Sequence, residues 1–184
     1  KKLKNKSLRQ ACGNEIEKHG YKGKGNFGQI LEKFYFGYEP NSDAEADFKE
    51  AGIELKSTPL KTLKNGEFRS KERLVLNIIN YPEVHKESFE NSSFWKKNAH
   101  LLLVFYLHDN NSDLLDYLIK LVDDWQYPNE DLKIIKHDWE TINQKIKDGK
   151  AHELSEGDTF YLGACTKGST ALKSYRVQPF NDEK

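Results

Sequence analysis

Residues 101–107 read Leu-Leu-Leu-Val-Phe-Tyr-Leu, the longest apolar run in the chain. Seven residues are far short of the roughly 20 needed to cross a bilayer as a helix, and they match the length of one strand. The run does not alternate with polar residues, so it predicts a strand buried on both faces. A sheet containing it needs covering layers, and the rest of the pattern supplies candidates. Residues 7–19 have helical character. Asn26 is a candidate cap for a helix reaching Phe36, with Phe27, Ile30, Leu31 and Phe34 at helical spacing. Residues 37–46 read as a loop. Residues 52–58 read as a short strand that stops at Pro59, and Lys64-Asn65-Gly66 is a hairpin-type turn. Residues 73–80 are rich in strand formers and are expected to pair back on that strand. Further on, 114–125 is expected to be helical, 132–136 a strand, 138–148 a helix carrying Trp139, Ile142 and Ile146 on one face, and 159–164 a strand. The fold class expected is α/β (or α+β), a mixed sheet flanked by helices.

The chain has 184 residues, which suits one domain. A domain of this size buries roughly 70% of its unfolded surface and folds without a disulfide or structural metal. Cys12 and Cys165 form no zinc or disulfide spacing, and a reducing cytosol is their simplest setting. No signal-peptide pattern and no long apolar run point to a membrane. The sequence contains no methionine, so neither end is taken as a natural terminus.

Formal charge is balanced, 29 basic against 29 acidic side chains, but unevenly spread. Residues 1–24 hold eight Lys or Arg against Glu15 and Glu17. Residues 56–73 hold six against Glu67 and Glu72, whereas 107–131 hold seven acids and only Lys120. Two solvated faces would explain this equally well as a surface for a polyanion.

The chemistry concentrates in Asp47-Phe-Lys-Glu-Ala-Gly-Ile-Glu54-Leu-Lys56. On a strand, Glu54 and Lys56 project from one face and Leu55 from the other. Asp47 ends a loop that can return to Glu54. Two carboxylates and an ammonium are the set used in metal-dependent phosphodiester hydrolysis: oxygens hold Mg²⁺, and the lysine orients or helps deprotonate water. A Glu-x-Lys triplet alone is also an ordinary surface ion pair.

The flanking segments are more specific. Lys22-Gly-Lys24-Gly25-Asn-Phe-Gly28-Gln-Ile-Leu-Glu32 precedes the cluster, and Ser57-Thr58-Pro59 follows it. Together they resemble the family of the mismatch-repair nicking endonuclease MutH and the related type II restriction enzymes that recognise GATC. The resemblance spans about residues 22–168 and implies a restriction-endonuclease-like, PD-(D/E)xK fold. It implies catalytic roles for Glu32, Asp47, Glu54, Lys56 and Lys97 (Lys96 being the neighbouring candidate), with Asp47 and Glu54 as Mg²⁺ ligands. It also implies DNA contacts from Lys24, Lys167 and Gly168, the last two following Phe160-Tyr161-Leu162. Residues 71–80 look closer to the restriction branch than to the repair branch. The three tryptophans are expected in the core, and no histidine spacing suggests a metal site.

The expected activity is cleavage of double-stranded DNA at GATC by a bacterial, cytoplasmic enzyme. The expected organisation is one catalytic domain over 1–184, with a basic segment at 1–21 and an irregular tail at 169–184. It is expected to be a fragment of a longer chain, with a second similar domain or subunit outside it. A strand-nicking repair enzyme and a non-catalytic DNA-binding effector domain are the alternatives.

Overall fold

The computed structural model describes residues 2–18, 27–41 and 45–165. Four strands form one mixed sheet in the order β2-β1-β3-β4: β1 Glu54–Thr62, β2 Phe68–Ser70, β3 His100–Leu107 and β4 Ile119–Gln126. β1 runs parallel to β3, with Glu54 opposite Leu101 and Lys56 opposite Leu103. β2 and β4 pair antiparallel at the two edges. The apolar run is thus an interior strand, as expected. Its cover is incomplete: Leu101 and Val104 are buried and the other residues of the run half-buried.

β1 continues through Pro59. Proline lacks a ladder donor, so it is tolerated where that donor is not needed. Here the Pro59 carbonyl accepts the Lys71 N–H at 2.8 Å, just beyond the end of β2. The ladder stops at this point, and residues 73–80 form no strand, contrary to expectation. The turn at Asn65-Gly66 is present, with Gly66 at φ 84°.

Two compact units can be distinguished among the described residues. One comprises residues up to Leu76 with Lys97–Gln126, and holds the sheet. Helices α1 (Leu8–Cys12), α2 (Asn14–Lys18) and α3 (Phe27–Leu31) belong to it. Gly13, at φ 57°, separates α1 from α2 where one helix was expected. Ser7 and Gln10 cap α1 reciprocally, at 3.2 and 3.0 Å. Leu8, Ile16, Phe27, Ile30 and Leu31 pack with Leu55, Val104 and Ile119 to form the core.

Residues 114–125 are not a helix. A single 3₁₀ turn, Leu114–Asp116, leads into β4, because β3 offers an unpaired edge and Ile119 and Val122 suit a strand. Tertiary pairing overrides a helical pattern here.

The other unit comprises Asn77–Lys96 and the residues from Tyr127 onward. It holds α4 (Tyr81–Val84), the start of α5 (Ser93–Asn98) and α6 (Asn129–Lys147). The strand expected at 132–136 is part of α6. Ile135, Trp139, Ile142 and Ile146 make one buried stripe at helical spacing, with Glu130 and Asp131 in the first turn and Lys145 and Lys147 in the last. Phe89 packs edge-on against Trp139. Residues 159–164 are also not a strand. Their backbone is held by Asp138, 2% exposed, whose carboxylate accepts the N–H groups of Phe160, Tyr161 and Leu162 at 3.0, 2.6 and 2.9 Å. No helix of the described residues is long and apolar enough to cross a membrane.

Candidate active site

The first residues of β1 carry the site. The strand pleat sends Leu55 into the core and leaves Glu54 and Lys56 on the opposite face. Glu54 is nevertheless only 3% exposed. A buried carboxylate must find partners. Its Oε1 accepts from Lys56 Nζ at 2.8 Å and lies 3.7 Å from Lys97 Nζ, and its Oε2 accepts the Asp47 N–H at 3.1 Å.

Asp47 reaches Glu54 because the chain reverses tightly between them. Phe48 and Ile53 form an isolated antiparallel bridge, with the Phe48 N–H donating to the Ile53 carbonyl at 2.9 Å. Gly52 turns this corner at φ 64°, a conformation that disfavours other residues. Asp47 Oδ2 then accepts the Leu55 N–H at 3.0 Å. The loop and strand are therefore cross-tied: each carboxylate accepts an N–H from the other's segment. Gly52, expected as the first residue of the strand, is instead the turn before it, and the Leu55 N–H was not foreseen as a partner. A glycine between two apolar residues just before a strand was the available signal.

Lys97 comes from the last turn of α5, directly before β3. Parallel pairing of β1 with β3 brings it beside Glu54. Glu32 enters from another direction. It begins a π-helical turn, Glu32–Phe36, that extends α3, and such turns are rare departures from the α-helix. Glu32 is 6% exposed, and its Oε1 is buried without a hydrogen-bond partner among the described residues. Burial first, then the negative charges of Asp47 and Glu54, push its carboxyl up to about 7, and Lys97 opposes them. Glu54 is also raised, by burial first, against the downward pull of its Lys56 hydrogen bond.

Five expected residues, Glu32, Asp47, Glu54, Lys56 and Lys97, thus form one electrostatic cluster. Lys24, Lys167 and Gly168 lie outside the described residues.

Three carboxylates face two ammonium groups, so the fully ionised cluster carries an uncompensated negative charge. Among the described residues, no group of three or more His, Cys, Asp or Glu is set to hold a metal by itself. Magnesium does not need one. It is commonly held by one or two carboxylates, with waters and substrate phosphate completing the shell. The buried, orphaned Glu32 oxygen and the excess negative charge fit a cation.

The family model described as "DNA mismatch repair enzyme MutH" matches residues 36–138, a span holding Asp47, Glu54, Lys56 and Lys97. The type II restriction enzyme Sau3AI of Staphylococcus aureus is 48% identical over 181 residues, covering 97% of this chain and 36% of the enzyme. The chain therefore spans about a third of that relative. The DNA mismatch repair protein MutH of Vibrio parahaemolyticus is 26% identical over 167 residues, covering 90% of this chain and 72% of that protein. Its counterpart in Shewanella putrefaciens is 26% identical over 171 residues, covering 90% and 74%.

Proposed function

The chain belongs to the MutH family, and from that premise we propose that it is the catalytic domain of a magnesium-dependent type II restriction endonuclease that cuts double-stranded DNA at GATC. The observation that carries the proposal is the buried carboxylate–lysine cluster at the start of β1. Likeness to the restriction enzyme over 97% of the chain favours the restriction branch.

In this reading Asp47 and Glu54 would hold Mg²⁺, which would supply charge stabilisation at the phosphate and acidify a water. Lys56 Nζ, already fixed on Glu54, orients the attacking water and steadies the negative charge that develops as the water loses its proton to solvent. Lys97 Nζ adds positive charge on the same carboxylate and steadies the anionic phosphate. Glu32 adds a third carboxylate beside Asp47, Glu54 and Lys97, near where the metal would sit. Water attacks phosphorus in line and the 3′ oxygen departs. Lys24, Lys167 and Gly168 contact DNA, the lysines through phosphate or guanine edges. A second DNA-contacting domain or subunit and a bacterial cytoplasmic setting complete the proposal.

The test is digestion of a supercoiled plasmid in Mg²⁺, and separately in Ca²⁺, with sequencing of the ends. Linear products ending at GATC are expected in Mg²⁺. The match to repair proteins favours a second reading, a nicking enzyme, which would accumulate relaxed circles instead. A gel shift with no Mg²⁺-dependent cutting would leave a non-catalytic DNA-binding domain. Neither cutting nor binding would end the proposal.

A further inference from the structure

The far end of β1 holds a cluster of cations that the catalytic reading does not use. Lys61 of β1 stands directly opposite Arg69 of β2. Like charges in that relation are destabilising. Both side chains are exposed, as is Lys64 at the turn, and none of the ion pairs among the described residues involves any of the three. The nearest acid along the hairpin is engaged elsewhere. Glu67 accepts from Asn65 Nδ2 at 2.8 Å, while its N–H donates to Asn65 Oδ1 at 3.1 Å. Lys71 extends the row. The ladder contact of Lys71 with Pro59 keeps it on the Arg69 side of the hairpin, and its Nζ lies 2.9 Å from His108 Nε2, not from a carboxylate. Lys120 of β4 lies over the exposed Phe68 ring, 5.6 Å from its centroid, on the sheet face opposite Lys61 and Arg69, and is not part of this cluster.

A protein surface that keeps opposed cations without a counter-ion suits an anion supplied by a partner. Lys71 follows the end of β2 by one residue and is two residues from Arg69, so the two backbones are at most roughly 6.8 Å apart. Each strand of a duplex carries one charge per roughly 3.4 Å of axis, so this interval spans at most two phosphate steps. Lys61 is seven residues along β1 from Glu54, roughly 23 Å, so a duplex cut beside Glu54 would have to extend about 7 base pairs in that direction to reach it. The pleat also sets Lys61 on the face opposite Glu54 and Lys56.

We infer that the β1–β2 hairpin is a phosphate-backbone contact for double-stranded DNA flanking the cleavage site, separate from the chemistry. The inference rests on the nuclease proposal for its occupant.

The experiment measures binding of the chain to a duplex of about 40 base pairs with a central GATC, in Ca²⁺, across a salt series. The double variant Lys61→Thr/Arg69→Thr is expected to bind about 5- to 30-fold more weakly at low salt. Its slope of log K against log salt should shrink by about 2, since each neutralised phosphate contributes about 0.9. Single-turnover cleavage at saturating enzyme should stay at the wild-type rate. The difference should vanish on a duplex reaching less than about 7 base pairs from the cut. The control pair Lys86→Thr/Lys133→Thr changes net charge equally, but removes lysines already paired with Glu83 and Glu130. An unchanged slope in the hairpin variant, or an equal loss in the control, overturns the inference. Wild-type protein that binds but never cuts would spare the hairpin and sink the nuclease proposal. Protein that cuts with the hairpin variant unaltered would do the reverse, and protein that does neither would sink both.

Discussion

The two ends of β1 treat charge in opposite ways. At its start, Glu54 is buried with two opposite charges within reach: Lys56 at 2.8 Å and Lys97 at 3.7 Å. At its end, Lys61 faces Arg69 in the open, and neither forms an ion pair among the described residues. Desolvation makes the first region sensitive to any single change, because removing one partner strands a buried charge. Solvent screening makes the second tolerant. One strand thus combines a rigid site suited to chemistry with a surface suited to long-range attraction. Variants at the two ends should therefore fail in different measurements.

The largest effect is expected at the buried end. Asp47→Ala or Lys56→Ala should lower Mg²⁺-dependent cleavage at least about 10³-fold, in the range seen when transition-state electrostatics are removed. DNA affinity in Ca²⁺ should keep its salt slope, because the hairpin is intact. Circular dichroism should show a folded chain. If either variant still cuts in Mg²⁺, the contrast between the two ends collapses.

Lys97→Gln should act next, about 10- to 100-fold on the cleavage rate. Its signature is in the pH profile. Lys97 lowers both Glu32 and Glu54, so removing it lets both carboxyls rise further. The acidic limb of the rate profile should move to higher pH. A uniform loss at every pH would mean that Lys97 does not act through these carboxylates.

The sequence made the cluster at this end legible for a physical reason. Glu54 and Lys56 are two apart on a strand, and period 2 fixes their shared face without any knowledge of the fold. Pairing of β1 with β3 was not stated by any local pattern, yet it is what carries Lys97 to Glu54. The family resemblance supplied that residue instead. The errors fall where local pattern is ambiguous. Residues 114–125 have apolar residues at helical spacing and at strand spacing, and only the open edge of β3 decides between them. Residues 132–136 were short, apolar and β-branched, and their membership of a 19-residue helix shows only when the stripe through Ile146 is read as one unit. The hold of Asp138 on residues 160–162 spans more than 20 positions, and no local spacing encodes it.

A smaller effect concerns Glu32 and stability. Its carboxyl rises from an ordinary value of 4.5 to about 7 on folding. The folded chain therefore holds a proton there that the unfolded chain has lost between those two values, and stability falls as pH rises through that window. At pH 8, in EDTA, Glu32→Gln should remove this penalty, whose upper limit is roughly 3 kcal/mol. The variant should melt about 2–6 °C above wild type at pH 8. The gap should close as pH falls towards 4.5. A variant that is less stable at every pH would mean that the charged form of Glu32 is held by a partner the structure does not have.

The smallest effect belongs to the exposed end, and it separates a binding surface from a structural one. If Lys61 and Arg69 were there to hold the hairpin, removing one would weaken the fold. Cross-strand repulsion predicts the opposite sign. Arg69→Thr places a good strand former on an edge strand and removes a like charge facing Lys61. It should leave stability unchanged or raise it by about 0.2–0.5 kcal/mol, and the gain should shrink as salt screens the pair. Urea unfolding at two salt concentrations measures this. A loss of stability that persists in high salt would make Arg69 a packing residue, and the two ends of β1 would no longer differ in kind.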